Sequence, residues 1–184
     1  MHRFFWFMLN AQRSALRHLL AVLLVAGSVG LGLTGCDFGG GGGPSFPTGT
    51  WTSEWGETYE IDTQAITYDN GSGGGYTATV ISINEYQFNA GDTSITPEAP
   101  AAVQPGYAVI KYTAVSDLSW GAVGKYNIFR WAENSAGLDF RLLTQGGKYN
   151  DDYTVISVFD TPAQAVNGAT NAAGYFAYAG SYAR

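Results

Sequence analysis

The chain has 184 residues, 15 acidic against 9 basic, a net charge of −6 and a single cysteine. A chain this acidic lacks the clustered Lys and Arg needed to neutralise nucleic-acid phosphates or to hold anionic lipid headgroups. With one cysteine, no disulfide forms within it.

In chain order, the first element is an export signal. Arg3, Arg13 and Arg17 precede an apolar run from Leu19 to Leu33, and small residues follow it. The run is about 15 residues, short of the roughly 20 needed to span a bilayer core. The four residues Leu33-Thr34-Gly35-Cys36 resemble the lipobox of bacterial lipoprotein precursors at every position. That resemblance implies cleavage before Cys36, a diacylglycerol on its thiol, and acylation (commonly palmitate) of the new amino group. Two or three acyl chains give stable anchoring where one is marginal. The resemblance thus places the chain in a bacterial cell envelope, anchored to a membrane with its domain outside the cytoplasm.

Three segments follow from this reading: a signal peptide over 1–35, a lipidated tether over 36–47, and one domain over 48–184. The tether is Asp37-Phe38, five glycines, and Pro44-Ser45-Phe46-Pro47, a composition that holds no regular helix. After the signal there remain 15 acidic and 6 basic residues. The 137 residues from Thr48 carry no second linker and are enough for one core burying roughly two-thirds of its unfolded surface.

The domain is rich in Tyr, Thr, Val and Gly, and its apolar and polar residues alternate over short runs bounded by turn residues. Predicted strands are Thr50–Trp55, Thr58–Asp62, Ala65–Tyr68, Tyr76–Asn84, Gln87–Asn89, Tyr107–Ala114, Lys125–Glu133, Leu138–Leu143 and Tyr153–Phe159. Turns fall at 69–75, 91–92, 134–137 and 146–152. A Pro/Ala-rich loop covers 96–105. Thr161-Pro162 caps and starts a short helix, and residues 175–182 are placed as a returning strand.

The expected fold is all-β: an antiparallel closed barrel of about 8 to 10 strands with one short helix near the C-terminus, because closure removes exposed edges. The alternative is a two-sheet β-sandwich. Gly49-Thr50-Trp51 resembles the Gly-x-Trp signature of lipocalins and related calycin barrels. This implies a lipocalin-like barrel in which Trp51 closes the floor under a basic residue, here Arg184 or Arg141.

Both histidines, His2 and His18, lie in the signal. Triads, Cys–His pairs, histidine zinc sites and histidine-bound haem are therefore removed from the domain. No cofactor is expected beyond the lipid on Cys36, and no enzyme activity. Carboxylate hydrolysis is the remaining alternative, with Glu57 and Glu60 or Asp139 and Asp160 as pairs to be brought about 5 to 10 Å apart. Asn150-Asp151-Asp152 and Asp69-Asn70 offer oxygen ligands for calcium but lack full loop spacing and read as turns.

The positive signal is aromatic: 23 of the 149 residues after the signal are Phe, Tyr or Trp. Trp51, Trp55, Phe129 and Trp131 read first as core and second as ligand contacts. Arg130 and Lys111 alternate with apolar neighbours, among them Tyr112, and would need an anion or a buried acid if they faced the interior. These seven residues are the candidate ligand site. The first functional expectation is a non-catalytic module binding a small apolar ligand. The second is an envelope structural or protein-interaction module with a filled barrel and function on loops 92–105 and 146–152.

Overall fold

The computed structural model describes residues 45–85, 87–97, 106–133 and 140–184. The expected signal, Cys36 and the glycine run lie outside the described residues, as do Pro100 and Pro105 of the 96–105 loop.

Eight strands form the domain: β1 (Gly49–Ser53), β2 (Thr58–Ile61), β3 (Ala65–Asp69), β4 (Gly75–Asn84), β5 (Gly106–Val115), β6 (Tyr126–Glu133), β7 (Phe140–Gln145) and β8 (Gly180–Ala183). Each pairs antiparallel with its sequence neighbour. β8 returns to β1 through Thr52↔Ala183 and Ser53↔Tyr182, closing the barrel. The sandwich alternative is therefore set aside.

Inward residues follow the alternation read from the sequence. Trp51, Tyr59, Tyr68 and Tyr76 are successive cross-strand partners in one row over β1 to β4. Each is under a tenth exposed. Two bulges shape the β4–β5 pair, with Thr113 and Ile81 as the extra residues between paired positions. Such insertions bend a strand and increase its twist, which helps a sheet to close.

β6 breaks the simple alternation, since Asn127 through Ala132 are all buried. Its outer face lies beneath a second layer made by α1 (Pro162–Gly168), the 3-10 turn Asn89–Gly91 and the segment before β8. Phe88, Ile95 and Ala132 form one outer cluster. Val109, Ile128, Ala165, Ala169, Tyr175 and Phe176 form the other. α1 begins with a capping box: the Thr161 hydroxyl accepts from Gln164 N, and the Gln164 amide oxygen accepts from Thr161 N.

Three expected strand assignments change. Gln87–Asn89 is a bend entering the 3-10 turn, because the Asn89 amide donates to Val166 O and Ala169 O and so joins the outer layer. Tyr153–Phe159 makes isolated bridges only, Tyr149↔Ile156 and Tyr126↔Phe159. In a closed barrel no edge is left for it. The first strand ends at Ser53, and Trp55 sits in the following turn. Of the predicted Leu138–Leu143 run, Leu138 and Asp139 lie outside the described residues, and the strand begins at Phe140.

The folded unit also starts earlier than the expected boundary at Thr48. Phe46 is buried, its ring 5.1 Å from Trp131, and its N–H donates to Glu85 Oε1 at 2.7 Å. The chain thus enters at the base of the barrel, where Arg184 also ends it. The opposite end, the mouth, carries the β1–β2, β3–β4 and β5–β6 turns and the long β7–β8 connection.

Candidate functional site

The seven candidate residues fall in three places. Trp51, Tyr112, Phe129 and Trp131 face the lumen; Lys111 and Arg130 face outward; Trp55 is 54% exposed in a turn. They do not form one ligand site.

The lumen is occupied by its own side chains. Rings follow one another from base to mouth: Phe46 to Trp131 at 5.1 Å, Trp131 to Phe129 at 6.2 Å, Phe129 to Tyr59 at 5.4 Å and Tyr59 to Tyr68 at 4.8 Å. Tyr68 then meets Trp120 of the β5–β6 loop at 5.4 Å. Such tilted and edge-on contacts are the favoured geometry for aromatic cores. The Tyr112 hydroxyl accepts from Asn127 Nδ2 at 3.0 Å and from Gln145, and Tyr182 OH donates to Glu57 Oε2 at 3.1 Å. Burial pushes the phenols of Tyr59, Tyr68, Tyr76, Tyr112 and Tyr182 well above their ordinary range.

At the base, Trp51 is 2% exposed and donates through Nε1 to Pro47 O at 2.7 Å. The Arg141 and Arg184 guanidiniums both lie over its ring, at 5.6 and 5.7 Å. This arrangement is structural: it seals the floor.

Arg130 has no route to the lumen, because its strand position points it into the outer layer. Nε donates to Asn89 Oδ1 at 2.7 Å, Nη1 to Asn171 Oδ1 at 2.9 Å, and Nη2 to Asp92 Oδ2 at 2.5 Å. The Phe176 ring lies 3.5 Å from the guanidinium carbon. Burial lowers the Arg130 pKa to about 10 against the opposing pull of Asp92, so it stays charged at neutral pH. The buried acid that such an arginine requires is Asp92, and the cluster staples the outer layer to the barrel wall. Lys111 is half-buried on the wall, 5.4 Å over the Tyr126 ring.

Of the acids expected as catalytic pairs, Glu57 and Glu60 share no cleft. Glu60 is exposed on the wall while Glu57 is tied to Tyr182 at the mouth. Asp160 pairs with Lys125 at the surface, and Asp139 lies outside the described residues. The turn oxygens considered for calcium accept from their own backbones: Asp69 Oδ1 from Gly71 N, Asn70 Oδ1 from Ser72 N and Gly74 N, Asn150 Oδ1 from Thr154 N and Val155 N.

What the sequence reading missed is at the mouth. Among the described residues, nine large apolar side chains are conspicuously exposed, and seven of them are Trp55, Leu118, Val123, Tyr149, Tyr153, Val155 and Tyr178. Six of these sit on connections at the mouth; Tyr178 lies in the segment before β8, where its carbonyl accepts from Thr144 on the wall, and Ile81 and Ile83 are on β4. The available signal was Tyr149-Asn150-Asp151-Asp152-Tyr153, two aromatics inside a turn composition, where no core demands them. Two shallow concavities accompany these loops, one of about 350 Å³ beside the β3–β4 turn and one of about 560 Å³ along α1.

Fold and site together define a closed, aromatic-filled antiparallel barrel with an apolar, acidic rim. Compared with known proteins, the chain matches no family model, and no curated protein or solved structure matches it significantly.

Proposed function

We propose that this protein is a bacterial envelope lipoprotein, lipidated at Cys36, whose barrel is a non-catalytic interaction module acting through its loops. The observation that carries the second half is the unbroken run of rings from Phe46 to Trp120. A lumen that holds a drug-sized ligand needs about 300 Å³ or more, and here that space is taken by side chains. The first half rests on the lipobox and the signal before it.

Two measurements test the reading. Labelled palmitate should enter the full chain in a bacterial host and not its Cys36→Ala variant; equal labelling of both removes the anchor. Native mass spectrometry of the purified chain should give the protein and its acyl groups alone. A reproducible further mass, lost on denaturation, would restore the lumen as a ligand site.

A further inference from the structure

We propose that the mouth of the barrel docks a cationic protein segment whose Arg or Lys side chains are flanked by apolar ones, with Tyr149 and Tyr153 as the receiving rings. This rests on the interaction-module reading and names the kind of partner that module takes.

The surface combines two properties. It exposes six large apolar side chains, and its connections carry Glu54, Glu57, Asp69, Asp117, Asp151, Asp152 and Asp160 against Lys125 and Lys148. Lys125 is already paired with Asp160. The rings of Tyr149 and Tyr153 stand 6.2 Å apart, beside Asp151 and Asp152 in sequence. Exposed rings and carboxylates carried by one turn favour a guanidinium or ammonium, which gains both cation–π attraction and charge-assisted hydrogen bonds.

The same charges decide against other occupants. Two copies meeting mouth to mouth would bring like charges together, and anionic lipid would be repelled. The described chain enters the barrel at its base, which leaves the mouth clear of residues 45–48.

The loop is also built in advance. Tyr153 is 68% exposed yet has φ 60°, a region that bulky residues rarely adopt. Tyr153 N donates to Asn150 O at 2.9 Å, and Asp152 Oδ1 accepts from Thr154 N at 3.1 Å and from its hydroxyl at 2.6 Å. Glycine would relieve that backbone strain; tyrosine there instead presents, beside the Tyr149 ring, an exposed ring that a partner can cover. Rings held before binding lose little entropy on it.

The test uses the full lipidated chain in phosphatidylcholine nanodiscs, with empty nanodiscs as blank. Three labelled peptides are titrated by fluorescence anisotropy: Gly-Arg-Leu-Arg-Trp-Arg-Gly, the same with Glu for each Arg, and the same with Ser for Leu and Trp. The basic apolar peptide should bind about tenfold or more tighter than either control and weaken with added salt. Tyr153→Gly should lower that affinity about fivefold or more while leaving the melting temperature unchanged or raised. Asp151→Asn should weaken binding as well. Equal binding of the acidic peptide, or full affinity in Tyr153→Gly, overturns the proposal. So does peptide-blocked association of two chains, which assigns the mouth to a second copy, or stronger recruitment to phosphatidylglycerol vesicles than to peptide. If a small molecule co-purifies in the lumen, the interaction-module reading fails whatever the peptides do. If the mass is bare and no basic peptide is preferred, only the docking proposal fails.

Discussion

Replacing Arg130 with Ala tests the account of the outer layer most directly. Its guanidinium is fully buried and holds Asn89, Asp92 and Asn171, residues from both segments that cover β6. Removing it leaves the Asp92 carboxylate, 15% exposed, without its counter-charge and with the Asn171 N–H at 2.9 Å, and takes the Nε donor from the Asn89 side-chain oxygen, which is deeper still. Breaking a buried pair from one side costs about 3–5 kcal/mol, because a desolvated charge is left without its partner. For a domain of this size that corresponds to a fall of about 10–20 °C in melting temperature. Asp92→Asn keeps a polar contact and should cost less, about 1–3 kcal/mol. Urea denaturation followed by tryptophan fluorescence measures both. Limited proteolysis of Arg130→Ala should cut first in segments 87–97 and 161–176, which the arginine holds down. A loss below about 1 kcal/mol for Arg130→Ala would refute the staple and its magnitude.

Further predictions concern the lumen and the helix. The five buried phenols have folded pKa values raised above the unfolded value near 10. The folded state therefore keeps protons that the unfolded state releases, and stability is complete below about pH 10 and falls as pH rises above it. Absorbance at 295 nm should show these phenols ionising together with cooperative unfolding, not over the ordinary tyrosine range. Gly106→Val should destabilise by about 1–3 kcal/mol in urea, because a Cβ at Gly106 would lie 2.3 Å from the Trp131 indole. Thr161→Ala should cost about 1 kcal/mol through loss of the capping box, read as an earlier thermal midpoint by circular dichroism.

Much of the barrel was legible in the sequence because alternation is a local property. A residue's face is fixed by counting twos from Trp51, Tyr59 or Tyr68, and the Thr161-Pro162 start of α1 carries its own cap. The candidate site was less legible. Trp55 follows the same alternation as Trp51 and Ser53, yet the strand stops at Ser53 and the count loses its meaning there. Arg130 was recognised as needing a buried acid, but Asp92 is 38 residues away and meets it only through the fold.

The amino-acid sequence by itself determined the resemblance of residues 33–36 to a lipobox, the all-β composition, the absence of histidine after His18, and the inward rows of aromatic residues. These depend on residue identity and short-range spacing alone. Only the tertiary structure decided that eight strands close, that β6 is covered on both faces, that the lumen is filled, and that six exposed apolar side chains share one end. Each of these depends on contacts between residues far apart in the chain. Closure in particular consumes every strand edge, which is why residues 153–159, with a strand's pattern, do not become a ninth strand.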